Sequence, residues 1–252
     1  MKGALWSILL FIGLVAGWEL FCRTTGVTEL IVPAPSVVLH TLWQGLSTGF
    51  LWPHIGVTTV EVLAGLGAGC IIGFAAGIVL AEAPGLQRVL YPYILASQVI
   101  PKLALGPLFV IWFGPGLLPT IVITALICFF PLLENTFTGL RHVDPNKQEL
   151  FRMLGASRMQ TLLRLKIPNS APLILAGVRV AVVLAFIGAV VGEFIAANQG
   201  LGAMIIGAQG MMDTSLMFAV FVVITVQGTL FYQLAVSAER WLLRHHSTGT
   251  TQ

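Results

Sequence analysis

QELFRMLGASRMQTLLRLKIP, residues Gln148 to Pro168, is a polar island in an apolar chain. With Lys147 just before it, the stretch gathers five of the thirteen Lys and Arg residues, although charged residues make up only 9% of the sequence. The chain as a whole is 57% hydrophobic, with a mean hydropathy of +0.93. So little charge cannot clothe a soluble surface, and the island reads as a loop between membrane-spanning segments. Apolar runs able to cross a bilayer as helices, about 20 residues each, lie at roughly 4–22, 56–81, 89–113, 115–134, 171–194 and 215–238. The composition therefore predicts an all-α integral membrane protein with six transmembrane helices, since lipid-facing strands would alternate over about 10 residues.

Inside the island, Asp144 and Pro145 open the loop, Asn146 is placed to cap, and Leu150, Phe151 and Leu154 fall on one face of a short helix. Gly155 is expected to end that helix by taking positive φ, and Pro168 to stop a second one whose apolar face is Met159, Leu162 and Leu163. The result is a helix-turn-helix hairpin rimmed by Arg152, Arg158, Arg164 and Lys166. Its apolar residues exceed what a solvated hairpin needs. Either it lies flat on anionic lipid, or it is a docking knob for a soluble partner.

Six spans put both termini and the island on one side. That side holds Lys2, Arg88, Arg141, Lys147, Arg152, Arg158, Arg164, Lys166, Arg240 and Arg244, against Arg23 alone opposite. Positive residues flanking spans remain cytoplasmic, so the island and both termini are expected in the cytoplasm. The first span is expected to be a retained anchor, because Phe21 and Cys22 make no small-residue cleavage site. The net charge of +3 reflects this asymmetry, and no nucleic-acid-binding surface is expected. Cys22, Cys70 and Cys128 lack metal-ligand spacing and read as apolar filler; no metal site is expected.

Elsewhere, VPAPS at Val32–Ser36 reads as a turn in which Ser36 can cap an interfacial helix displaying Trp43. Gly69, Gly73 and Gly77 recur every four residues, a packing face for a neighbouring helix. Pro101 and Pro107 should break the third span near Lys102 and place that segment inside the bundle. The segment around Gly200, Gly202, Gly207 and Gly210 reads as a partly re-entrant or surface helix. Arg240, Arg244, His245 and His246 read as a solvated tail.

The island also resembles the EAA signature of bacterial ATP-binding-cassette importer permeases, E-A-A, three residues, Gly, nine residues, I-x-L-P. Glu149 matches the acidic position, Gly155 the glycine, and Leu165, Lys166, Ile167 and Pro168 the ending with its aliphatics exchanged; Leu150 and Phe151 replace the two alanines. LIVPAPSVV, PKLALGPLFVIWFG, FFPLLENTFTGLRHVDP and the GLG at Gly200 are similar to the nitrate, sulfonate and taurine branch of that family. The resemblance covers nearly the whole chain, 1–252 as one permease domain with a five-helix core near 56–238 and a coupling loop at 140–168. It implies a type I, MetI-like importer permease of the bacterial inner membrane, working as a pair, with cytoplasmic ATPase subunits and an extracytoplasmic solute-binding protein. In such a complex Glu149, Leu150, Phe151, Leu154, Gly155, Ala156, Ser157, Leu165, Ile167 and Pro168 would form the joint with the ATPase. ATP and Mg²⁺ would belong to that partner, because this chain has no G-x-x-x-x-G-K-[ST] and is expected to bind no cofactor.

No catalytic residue is expected. H-E-x-x-H and G-x-S-x-G are absent, and Asp144 and Asp213 fall on opposite sides, which argues against an intramembrane enzyme. An ion-coupled carrier acting without an ATPase would often show internal repeats, and none is evident. Ionisable residues inside spans are pathway candidates by default: Glu61, Lys102 beside Pro101, Arg179 and Glu193. Interhelical pairing or snorkelling is the competing reading for each. The family serves sulfonates, taurine, nitrate, bicarbonate, thiamine-precursor pyrimidines and riboflavin, and the residues do not choose among them.

Overall fold

The computed structural model describes residues 2–244, without the side chains of 2–5 and Ile8; His245 and His246 lie outside the described residues. The described chain is helical throughout, with no strand. In order it forms α1 (Lys2–Thr25), α2 (Pro35–Ser47), α3 (Trp52–Glu82), α4 (Pro84–Val99), a 3₁₀ turn (Lys102–Leu105), α5 (Gly106–Phe113), α6 (Leu117–Arg141), α7 (Pro145–Met153), α8 (Arg158–Thr161), α9 (Ile167–Ala196), α10 (Leu201–Gly210) and α11 (Thr214–Leu243). Among the described residues four unbroken helices are long and apolar enough to cross a membrane, and α4 with the segment Lys102–Phe113 makes a fifth, bent by 82°. The 24-residue α1 is also long enough to reach across.

The centre of the molecule is α6, held between α3 and α9. Lipid tails are as apolar as leucine, so helices in a bilayer associate by close packing, which demands small residues. On α3 the stripe of Gly69, Gly73 and Gly77 extends to Gly65 and lies directly on α6: a Cβ at Gly69 would sit 2.6 Å from the Ala125 carbonyl oxygen, and one at Gly77 2.8 Å from that of Leu133. The other side of α6 meets a second stripe on α9, where a Cβ at Gly177 would come within 2.9 Å of Asn135 and one at Gly192 within 2.9 Å of Thr120. Where α3, α6 and α9 converge, Val62, Cys128, Ala181, Ala185, Phe186 and Ala189 form a buried core. Cys128 donates its thiol to the Ala181 carbonyl at 3.2 Å, so it is a packing residue, as the sequence implies.

Around this centre the remaining helices attach by specific bonds. Glu19 of α1 accepts from Ser36 N at 3.0 Å and Ser36 Oγ at 2.9 Å, tying α1 to α2. Ser36 thus serves another helix instead of capping its own, whose N-cap is Ala34. Trp43 is exposed, as expected for an interfacial helix. Gln227 of α11 donates to Thr59 Oγ1 of α3 at 2.6 Å.

Two expectations about prolines need correction. The third span does break at Pro101, but on the rim of the bundle: α4 has no buried residue and Pro101 is exposed. After the break Ala104 N donates to the Pro101 carbonyl at 2.8 Å, so a 3₁₀ turn opens the second arm. Pro168, expected to stop a helix, instead lies within one. The turn Leu162–Lys166 is wound wide, with Ile167 N bonding back to the Leu162 carbonyl, and α9 continues from it. A wide turn absorbs both the missing proline N–H and the clash of its ring with the carbonyl four residues earlier.

Gly69→Leu should lower the thermal midpoint of the purified chain by forcing α3 off α6, a cost of about 1–3 kcal/mol or more. Gly67→Leu, whose Cβ meets nothing within 4 Å, should leave the midpoint unchanged in the same differential scanning measurement.

Candidate functional site

Two constellations stand at opposite ends of α9. At its N-terminal end lies the hairpin. Asp144, and not Asn146, is the N-cap of α7: its carboxylate accepts from Asn146 N at 2.8 Å. A carboxylate side chain that accepts backbone N–H groups outcompetes the neighbouring amide for this position, and it also favours the positive end of the helix. Gly155, at φ +73°, closes α7. Its N–H bonds the Arg152 carbonyl and Ala156 N bonds the Phe151 carbonyl, both at 3.0 Å, the pattern of a Schellman turn. Immediately afterwards Ser157 and Gln160 cap α8 reciprocally, Gln160 N donating to Ser157 Oγ at 3.2 Å and Ser157 N to Gln160 Oε1 at 2.8 Å. The S-x-x-Q spacing was visible in the sequence and is the signal that sequence reasoning passed over.

The turn is therefore built entirely from local bonds, and it leaves an apolar ridge bare. Leu150 and Met153 on α7 and Leu154 at its C-cap are 54%, 77% and 74% exposed, and Met159 and Leu163 beyond the turn are exposed too. Phe151, Ala156, Leu165, Ile167 and Pro168 are half-buried behind it, while Glu149 and Ser157 are exposed. At its base, Lys166 Nζ pairs with Glu82 Oε1 at 2.6 Å, fastening the hairpin to the end of α3. From Arg158 to Ala196 the chain is one continuous 39-residue rod, about 58 Å long at 1.5 Å per residue.

At the far end of that rod, Glu193 is buried beneath α10. Its Oε1 accepts from Thr58 Oγ1 at 2.6 Å, and its Oε2 from Gly202 N. Thr58 Oγ1 in turn accepts from Leu201 N at 2.9 Å, and His54 Nδ1 from Gly200 N at 3.1 Å. The first N–H groups of α10, which have no partner within their own helix, are thus bound by side chains of α3 and α9. The glycines of GLG have a steric reason: a Cβ at Gly200 would overlap the Glu193 carboxyl group, and one at Gly202 the Val190 carbonyl oxygen. Glu61, wholly buried, lies beside Glu193 and Thr120, and neither of its carboxyl oxygens finds a hydrogen-bond partner among the described residues. Beside them opens a cleft of about 310 Å³ bordered by Glu61, Asn198, Gln199, Gly116 and Leu117, with no Lys or Arg.

Of the pathway candidates, the fold brings Glu61 and Glu193 together and leaves the others apart. Lys102 donates to Gln98 one turn back on the broken arm beside Pro101. Arg179 pairs with Glu239 of α11 at 2.9 Å, the interhelical pairing that was the competing reading. His54, Thr58 and Thr120 were not singled out from sequence, although Thr58, Thr59 and Glu61 form a polar cluster in an otherwise apolar span. Among the described residues no group of His, Cys, Asp and Glu is arranged to hold a metal ion.

A family model described as "Binding-protein-dependent transport system inner membrane component" matches residues 65–244. The riboflavin transport system permease protein RibX of Chloroflexus aurantiacus is 38% identical over 92% of this chain and 86% of its own length. The formylaminopyrimidine transport permease protein ThiX of Halalkalibacterium halodurans is 33% identical over 95% of each chain. Among solved structures, an inward-facing conformation of the MetNI methionine ABC transporter matches 78% of this chain and 99% of its own with a TM-score of 0.67 at 19% identity, a likeness of fold.

Thr58→Val would remove the donor to Glu193 and the acceptor for Leu201 N together, leaving two buried groups unpaired. Amide hydrogen exchange over Leu201–Gly210 should accelerate by about tenfold or more, as a loss of about 1–3 kcal/mol requires, while α6 remains protected.

Proposed function

Because the chain belongs to the family of binding-protein-dependent transport system inner membrane components and is a permease subunit of an ATP-binding-cassette importer, we propose that the hairpin of α7 and α8 is its cytoplasmic joint with the ATPase. The bare ridge of Leu150, Met153 and Leu154 on a fully capped turn is the observation that supports this reading. A solvated hairpin gains nothing from such a surface, whereas an amphipathic helix seated in a partner's groove requires it. In this arrangement both termini face the cytoplasm, two copies of the chain enclose the passage, and two ATPase subunits hold ATP and Mg²⁺. This chain supplies no chemistry to the solute and binds no cofactor. Closure of the ATPase pair would move the hairpins, and the rod from Arg158 to Ala196 would deliver that displacement to Glu193 and the helix it holds. That is a two-state switch biased by differential contacts with the ATPase.

The solute, delivered by an extracytoplasmic binding protein, belongs in our reading to the nitrogen-bearing heterocycles rather than the sulfonates. RibX and ThiX are named for riboflavin and formylaminopyrimidine. The cleft beside Glu61 agrees with this choice, since the Asn198 and Gln199 amides on its border suit ring donors and acceptors and it has no cation for a sulfonate.

Gly155→Val would put a β-branched residue at φ +73°, a strain of about 1–3 kcal/mol that distorts the turn. Solute uptake by reconstituted complex should fall at least tenfold with the permease still folded; uptake at the wild-type rate would remove the joint from the mechanism. Uptake of labelled riboflavin, formylaminopyrimidine and taurine by cells producing the whole importer tests the solute class, and accumulation of taurine alone would reverse it.

A further inference from the structure

The hairpin has a second face. At 100° per residue Gln148 and Arg152 point roughly opposite to the ridge of Leu150, Met153 and Leu154. They border a cavity of about 500 Å³ between the hairpin and the corner where α3 gives way to α4, together with Glu82, Arg158, Thr161 and Lys166. Lys166 is already neutralised by Glu82 at 2.6 Å. Neither the Arg152 nor the Arg158 side chain makes an ion pair or hydrogen bond among the described residues. Two guanidinium groups therefore border one cavity with their charge uncompensated.

Guanidinium forks match the oxygens of phosphate and carboxylate, and a pair of them facing a hollow is an anion-binding arrangement. The position selects among anions. The cavity lies where α3 ends and where the rod enters α9, at the level of lipid headgroups if α3 and α9 span the bilayer. From its rim at Pro84, α4 departs with no buried residue and with Val89 and Tyr93 exposed. An acyl chain has an apolar wall to follow from this cavity, and a free anion has no use for one.

We propose that the cavity binds the phosphate of an anionic phospholipid through Arg152 and Arg158, anchoring the back of the hairpin to the membrane surface while its ridge remains free for the ATPase. The inference uses the reading of the hairpin as the cytoplasmic joint only for the second clause; lipid binding stands on the cavity and on α3 and α9 crossing the bilayer. Attraction of this kind weakens with ionic strength.

The test is binding of phosphatidylglycerol and phosphatidylcholine to the purified full chain in detergent, followed by native mass spectrometry, for the wild type and for R152Q/R158Q. Phosphatidylglycerol affinity should fall about thirtyfold in the double variant, the scale set by removing two basic residues at a membrane surface, with phosphatidylcholine binding unchanged. L154D is the control for the joint: it should lose the ATPase and keep the lipid. Equal phosphatidylglycerol binding by wild type and R152Q/R158Q would overturn the proposal. Displacement of the lipid by millimolar inorganic phosphate would overturn it in favour of a free anion. Loss of the lipid when the ATPase docks would do so in favour of a carboxylate of that partner.

Discussion

The close approach of α6 to α3 on one side and α9 on the other is the constraint from which the rest follows. In a bilayer no hydrophobic force separates protein from lipid, so helices hold together only where backbones can come near enough for dense packing. Glycines at positions 65, 69, 73 and 77 of α3 and at 177, 188 and 192 of α9 allow it. Since α6 is locked between these two faces, α9 cannot slide or tilt alone. In the proposed mechanism, whatever moves one end of α9 would move the whole three-helix body as a lever.

Both ends of that lever are built for contact. The hairpin end is stiffened by an Asp144 cap, a left-handed Gly155 and a Ser157–Gln160 box, and it bears its apolar residues outward. At the other end Glu193 holds the first amides of α10, with Thr58 and His54 supplying the remaining partners. The wide turn at Leu162–Lys166 lets one uninterrupted rod join the two despite Pro168.

The residues whose sequence reading held are those whose roles are local. Gly155 turns the hairpin because left-handed backbone disfavours a Cβ whatever surrounds it. The four-residue spacing of Gly69, Gly73 and Gly77 defines a face on any helix, and Pro101, with Pro107 close behind it, breaks the third span. Where the sequence misled, a neighbour intervened: Ser36 bonds Glu19 of another helix, and Asp144 displaces Asn146 as the cap. The second glycine face, on α9, was readable as Gly188 and Gly192 four residues apart but is hidden by the many small residues around it.

Taken alone, the sequence determines the class of protein, its helical segments and the turn of its polar hairpin, because hydropathy, period and turn chemistry act over a few residues at a time. It also selects the family, through spacing around Gly155 that survives the replacement of both alanines by Leu150 and Phe151. Only the tertiary structure decides that Glu61, 132 positions before Glu193 in the chain, meets it beneath α10, that Arg179 is occupied by Glu239, and that Arg152 and Arg158 face a cavity unpaired. The physical reason is that charges buried in separate helices acquire partners from packing, and packing is a property of surfaces brought together rather than of any one segment.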